Sequence, residues 1–384
     1  MQGKSKRILI LTTAYLPQVG GSELAIKNIT DRLPEFDFDL ITSRFSSNVP
    51  LYEKIGNVNV YRVGNFLSRF SFLLPKNFLP IAVFFKARRL IAQHGPYDLI
   101  HAYQASQAAG GGWLLKWVYP GIPFLVTVQE GKILTSQSIL TRFFRYFIFK
   151  KADHATVISN YLAKYVVSQD KNLPVTVIPN GVDLDKFTNY HPPTGGPISN
   201  EDKKEKIIIT ISRLVEKNGL EDLINAMSIV TKKIPDANLV IIGDGPLGKG
   251  LRSKVECLKL ENNIKFLGEI SNDLLPRYLE EATVFVRPSL SEGLGISFLE
   301  AMAMGVPVIG TPVGGIVDFL EDGETGLFCK VKDPQNIGEK IIRILSDKEL
   351  HDKLANQGRE LVRREYDWDV IVQKFRDTYE TITR

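Results

Sequence analysis

Two cysteines and five histidines in 384 residues leave little for disulfide or zinc chemistry. Cys257 and Cys329 lie in apolar surroundings with no C-x-x-C spacing, so neither a disulfide framework nor a zinc site is expected, and a reducing cytoplasm suits the chain. Long apolar runs are also scarce. The richest stretch, Phe70 to Phe85, is broken by Pro75, Lys76 and Pro80 and is too short to cross a bilayer. Met1 to Leu11 has the look of a leader, yet its apolar part is short and Thr12 to Pro17 offers no convincing cleavage site, so it reads as a first buried strand. The net charge of +5 is too small to imply nucleic acid.

What the chain does have is bulk and alternation. Its length exceeds what one hydrophobic core usually serves, and 44% apolar residues suffice for two. Strand-like runs at Arg7–Leu11, Phe38–Thr42, Val58–Val63, Leu99–Ala102, Phe124–Val128 and Ala155–Ile158 alternate with helical stretches at Ser22–Leu33 and Ile81–Gln93. A Pro- and Gly-rich break begins at His191 and runs into the charged stretch Glu201 to Lys206. The alternation then restarts with strands at Ile207–Ile211, Leu239–Ile242, Ile264–Phe266 and Val284–Val286, and helices at Glu221–Ile234, Leu247–Leu258 and Asp273–Glu280. This rhythm predicts an α/β protein of two doubly wound parallel-sheet domains facing across a cleft. The expected division is 1–192, a linker at 193–206, and 207–367, followed by one amphipathic helix at 368–384.

The most informative segment brackets seven residues between two acids, Glu292 and Glu300. Gly293 and Gly295 leave the backbone bare at a loop-to-helix junction, and a helix from about Ser297 to Met304 would turn free N–H groups and its positive dipole end toward an anion such as a diphosphate. If most of the segment is helical, the two carboxylates stand roughly 12 Å apart and about 80° apart around the axis. The plain alternative is a surface helix ending at Gly305 before a buried strand. The run from Ser289 through Glu292-Gly293-Leu294-Gly295 to Glu300-Ala301-Met302-Ala303 resembles the E-x7-E signature of the retaining glycosyltransferases of family 4, which have the GT-B fold and use nucleotide sugars.

That resemblance gives roles to other residues. Glu292 would hold the donor sugar hydroxyls, Glu300 the ribose, and the amides of Gly295, Ile296 and Ser297 the diphosphate. Arg213 and Lys217, just past a buried strand, would neutralise the departing nucleoside diphosphate. Relatives usually carry a lysine directly before the glycine; this chain has Asn218 before Gly219, and that asparagine is expected to touch the donor. Gly20 and Gly21, opening a helix after the first strand, correspond to the loop that approaches the donor diphosphate, although Gly-Gly there is also ordinary turn chemistry. Gly243-Asp244-Gly245-Pro246 matches a turn that lines the nucleotide pocket. Read alone, Gly243 to Gly250 also fits G-x-G-x-x-G, but Pro246 removes an amide from such a cradle, and Gly250 stands where a P-loop needs Ser or Thr.

On the acceptor side the candidates are His101 at a strand end, Gln129 in the place where many relatives have a histidine, and Glu130 as its substitute. The triplets Asp37-Phe38-Asp39, Asp183-Leu184-Asp185 and Asp367-Trp368-Asp369 sit poorly for the metal site of a GT-A enzyme, so no metal and no cofactor is expected beyond a UDP- or GDP-sugar as co-substrate. Phenylalanines are interleaved with cations over Phe66 to Arg89 and over Arg142 to Lys151, a pattern suited either to an anionic membrane surface or to core helices with snorkelling cations. The resulting expectation is a retaining, metal-independent, cytoplasmic glycosyltransferase acting on a glycan or lipid-linked acceptor. A GT-B sugar-nucleotide epimerase is the first alternative and a membrane-surface binding protein the second.

Overall fold

A computed structural model of the chain describes residues 5–18, 20–64, 78–105, 107–129, 139–188 and 206–384. Its contacts form two compact units, Met1–Asn180 with Asp369–Arg384, and Gly181–Trp368. The division therefore falls after Asn180, whereas the segment at 193–206 lies outside the described residues except for Lys206.

Among the described residues the first unit contains β1 (Lys6–Leu11), α1 (Gly21–Asp31), β2 (Phe36–Ser43), β3 (Tyr52–Ile55), β4 (Val58–Val63), α2 (Leu79–His94) and β5 (Leu99–Tyr103). It continues with α3 (Gln107–Val118), β6 (Phe124–Val128), α4 (Ile139–Lys151), β7 (His154–Val157), α5 (Asn160–Gln169) and β8 (Val175–Val177). The sheet order is β3-β4-β2-β1-β5-β6-β7-β8, parallel except where β3 pairs with β4. Ile8 to Leu11 of β1 are fully buried, as expected of a central parallel strand covered on both faces. The register sets Ile10 beside Leu40 of β2 and His101 of β5, which places that histidine in the middle of the sheet.

The second unit begins with the short helix α6 (Leu184–Thr188) and contains β9 (Lys206–Ile211), α7 (Leu220–Lys233), β10 (Ala237–Ile242), α8 (Gly248–Cys257), β11 (Ile264–Gly268) and α9 (Leu275–Glu281). Then come β12 (Val284–Arg287), α10 (Ile296–Ala303), β13 (Val308–Gly310), β14 (Leu327–Phe328), α11 (Pro334–Ser346) and α12 (Lys348–Glu365). The order β11-β10-β9-β12-β13-β14 is parallel throughout. Helix α7 buries Leu220, Leu223, Ile224 and Met227 at helical spacing against Ile208, Ile241 and Val284. The helix expected at Asp273–Glu280 is instead a 3₁₀ turn at Asn272–Leu274 followed by α9, which starts at Leu275-Pro276 because proline is tolerated in a first helical turn.

The last helix, α13 (Trp368–Ile382), belongs to the first unit from Asp369 onward. Its Tyr379 is fully buried, edge-on to Phe36 at 5.6 Å, and Arg376 donates to Glu35 at 2.6 Å. No described helix is long and apolar enough to cross a membrane.

Candidate active site

In the second unit β9 lies between β10 and β12, so the strand order reverses there, and such a point is where open α/β sheets take ligands at the carboxyl ends of their strands. The loops leaving those ends are bonded backbone to backbone. Leu214 N–H donates to Asp244 O at 3.0 Å, Leu247 N–H to Leu214 O at 3.0 Å, Leu290 N–H to Lys217 O at 2.7 Å, and Gly315 N–H to Glu292 O at 3.2 Å. Gly243, expected to line a nucleotide, has φ +126, and a side chain there would strike the Ser212 carbonyl. Gly245 lies against the backbone of Leu214, where a Cβ would fall 2.6 Å from the carbonyl oxygen. Both glycines thus let the loop carrying Arg213 lie on the loop after β10.

Glu292 stands in the loop after β12, and α10 begins only at Ile296, with Gly295 at φ +99 as its N-cap. The helical spacing of the two acids therefore does not apply. Glu292 Oε2 accepts from Arg287 at 2.9 Å, while Oε1 accepts from the Gly293 amide at 3.0 Å and lies 3.8 Å from Lys217 Nζ. The one-position offset of the lysine is thus compatible with reaching this acid. Burial lowers the pKa of Lys217, as do the nearby Arg287 and Arg213, against the opposing pull of Glu292. Asn218, expected to touch the donor, is buried and donates its amide to Arg213 O at 2.7 Å, so it shapes the loop that presents the exposed Arg213.

The Ser297 hydroxyl donates to Ile211 O at 3.2 Å and accepts from Arg287 at 2.7 Å. What remains of this residue for a ligand is its amide, which with that of Ile296 belongs to the first turn of α10 and has no carbonyl four residues back within the helix. Leu294 is buried beneath the loop. Glu300 is also buried, and burial pushes its carboxyl up to about 7, opposed by Asn272, Lys186 and Arg287. Asn272 donates to Glu300 Oε1 at 3.2 Å, and Lys186 on α6 holds Asn272 and Asp273.

The first-unit candidates do not gather in this way. His101 is a correction: it is fully buried, its Nδ1 bonded to the Tyr379 hydroxyl at 2.8 Å and its Nε2 to Thr127 Oγ1 at 2.6 Å, and burial pushes its pKa down to about 3. Both ring nitrogens are occupied within the core, which leaves neither for an acceptor. Gln129 forms a reciprocal amide pair with Asn180, at 3.1 and 3.4 Å. Glu130 lies outside the described residues. Gly20 is the extended N-cap of α1 and Gly21 its first residue, and the buried carboxylate of Glu23 folds back over Gly20, so this helix start carries its own acid.

The Asp-x-Asp triplets serve structure. Asp39 is held by Arg7, Tyr97 and Asn59, Asp183 accepts from the Lys186 amide, and Asp369 pairs with Arg32. Among the described residues no group of three His, Cys, Asp or Glu is disposed to hold a metal ion.

Arg287, Asn272 and Lys186 were not anticipated. Arg287 had a signal: a cation ending the apolar strand Val284-Phe285-Val286 needs an anion within reach, and Glu292 is five residues on. Asn272 and Lys186 are separated from Glu300 by long stretches of chain and carried none.

Residues 197–361 match the family described as glycosyl transferases group 1, and residues 19–186 match glycosyltransferase family 4. The chain belongs to the family 4, group 1 glycosyltransferases. Among relatives of this glycosyltransferase, an uncharacterised glycosyltransferase of Methanocaldococcus jannaschii is 27% identical over 98% of both chains. The N-acetyl-alpha-D-glucosaminyl L-malate synthase of Bacillus anthracis is 28% identical, again over 98% of both. The Anabaena protein HepE, solved in complex with UDP and glucose, superposes with a TM-score of 0.78 at 20% identity over 98% of this chain and 100% of that one. The fold is GT-B, each unit contributing one of its two parallel-sheet α/β domains.

Proposed function

We propose that this glycosyltransferase moves a sugar, with retention of anomeric configuration, from a UDP- or GDP-sugar to a hydroxyl of a glycan or lipid-linked acceptor, with the second unit as donor domain and the first as acceptor domain. One observation carries the reading: Glu292 stands at the open N-terminus of α10 with Lys217, Arg213 and the buried Arg287 near it, and Glu300 lies within the same helix, at the strand-order reversal of one sheet. A relative named for joining a glucosaminyl group to malate and a structural neighbour solved with UDP and glucose support the donor class.

In this reading Glu292 takes the sugar hydroxyls, Glu300 the ribose hydroxyls, and the amides of Gly295, Ile296 and Ser297 the diphosphate. Arg213 and Lys217 meet the charge that grows as the bond from the anomeric carbon to the phosphate oxygen breaks. The acceptor oxygen bonds to that carbon on the face the phosphate leaves, and its proton passes to a phosphate oxygen of the leaving group. No protein base and no metal enters this scheme.

The acceptor is proposed to lie at an anionic, cytoplasmic membrane face. Helices α2, α3 and α4 contain eight lysines and arginines, from Lys86 to Lys151, and no acid. α3 packs against both of the others. Phe85, Trp117, Phe143 and Phe144 are each more than half exposed on them, and Lys151 caps Trp117 at 4.0 Å. Aromatic side chains edged by cations suit the headgroup layer. The part of this pattern at 66–77 lies outside the described residues.

Thermal shift with a panel of nucleotide sugars, followed by NMR of the product anomer, tests the reaction. Stabilisation by one UDP- or GDP-sugar and an unchanged anomeric configuration are expected. Isomerised donor without acceptor would replace the reading with an epimerase, and flotation equal on neutral and anionic vesicles would remove the membrane part.

A further inference from the structure

We propose that Arg287 is a positioning residue for the donor sugar, holding the Glu292 carboxylate in the orientation that meets the sugar hydroxyls and tying it to the start of α10. This rests on the reading of Glu292 as the sugar-binding acid.

The guanidinium is buried and fixed from three sides. One nitrogen donates to Ile211 O on β9 at 3.2 Å and to Ser297 Oγ on α10 at 2.7 Å; the other donates to Glu292 Oε2 at 2.9 Å. Its plane lies over the Phe298 ring, 4.7 Å from the centroid. A planar fork held this way has almost no rotational freedom left, and it passes that rigidity to whatever it binds. Only 12% of the Glu292 side chain is exposed, and with Oε2 committed to Arg287, Oε1 is left on the side of the Gly293 amide and Lys217. The same charge reaches Glu300 only as the weakest of the three influences that oppose burial there, after Asn272 and Lys186, so its main anion is Glu292. Burying a guanidinium in a strand end is unfavourable without an anion, so Arg287 and Glu292 require each other.

The test is a double-mutant cycle of Arg287→Met, Glu292→Ala and the two combined. It measures kcat/KM for the donor and, by calorimetry, the affinity for UDP and GDP without sugar. Each single change is expected to lower kcat/KM by about 10²-fold, the combination by no more than about threefold beyond either, and nucleotide affinity by less than about threefold. Additive losses, near 10⁴-fold together, would overturn the proposal, as would loss of nucleotide affinity in a folded Arg287→Met protein. If Arg287→Met does not fold, Arg287→Lys replaces it. Lysine keeps the charge without the fork, so about a tenfold loss is expected in the wild-type background and none in Glu292→Ala, whereas equal losses in both would overturn the proposal. Normal turnover in Glu292→Ala would instead defeat the reading of the site itself, and this proposal with it.

Discussion

The two sheets of this glycosyltransferase use buried polar side chains in opposite ways. In the first, His101, Thr127, Thr156 and Tyr379 bond to one another in a fully buried chain that joins β5, β6, β7 and α13. In the second, Arg287, Ser297 and Glu292 form a chain that runs from the buried end of β12 to a carboxylate beside Lys217 and Arg213. A network whose donors and acceptors all find each other acts as a fastener, while one that ends on partly open charge is equipped to bind.

Five outcomes test that contrast, in falling order of effect. Ending the chain at Trp368 strips Phe375 and Tyr379 from the first unit, so no cooperative unfolding of that unit is expected in calorimetry; a normal transition would deny the fastener its importance. Arg213→Ala is expected to lower kcat by about 10² to 10³-fold with nucleotide affinity little changed, because it acts on charge present mainly in the transition state. Glu300→Ala is expected to weaken nucleotide binding by about 10 to 100-fold, the worth of hydrogen bonds to a charged group, and equal affinity by calorimetry would contradict its ribose role. His101→Ala is expected to cost about 1–3 kcal/mol of stability, read by denaturant unfolding, while kcat/KM of the folded protein stays unchanged. A selective loss of turnover there would erase the distinction between the two networks.

The smallest effect is in pH dependence, and its sign differs between the units. Folded His101 stays neutral down to about 3, whereas the unfolded chain protonates it below its ordinary value of 6.5, so stability is lost as pH falls from about 6.5 toward 3. Folded Glu300 keeps its proton up to about 7, whereas the unfolded chain releases it above 4.5, so stability is lost as pH rises from 4.5 toward 7. Melts of His101→Gln and Glu300→Gln across this range should each remove one slope and leave the other.

Both sheets were legible because their central strands hold continuous apolar runs, as Ile8 to Leu11 and Ile207 to Ile209 show. β3 was not, since Tyr52-Glu53-Lys54-Ile55 is a short edge strand with half its residues polar. The E-x7-E segment announced Glu292 and Glu300 through local spacing. The helix expected from about Ser297 is α10, and only the helical spacing of the two acids fails, because Gly295, in a left-handed conformation, starts the helix no earlier than Ile296. His101 misled because a strand shows which residues it holds but not which neighbour will cover them, and here the cover is Tyr379, 278 positions later. Asn272 and Lys186 were hidden in the same way, since neither lies near Glu300 in sequence.

The return of the last helix to the first unit has a consequence for biosynthesis. The stretch Met1–Asn180 leaves the ribosome without Phe375 and Tyr379, so this earlier-made unit cannot finish folding until α13 has been synthesised. The second unit, Gly181–Trp368, is contiguous and is complete sooner. Nascent chains should therefore resist protease first in their later-made portion, an inversion of the usual order from amino to carboxyl end.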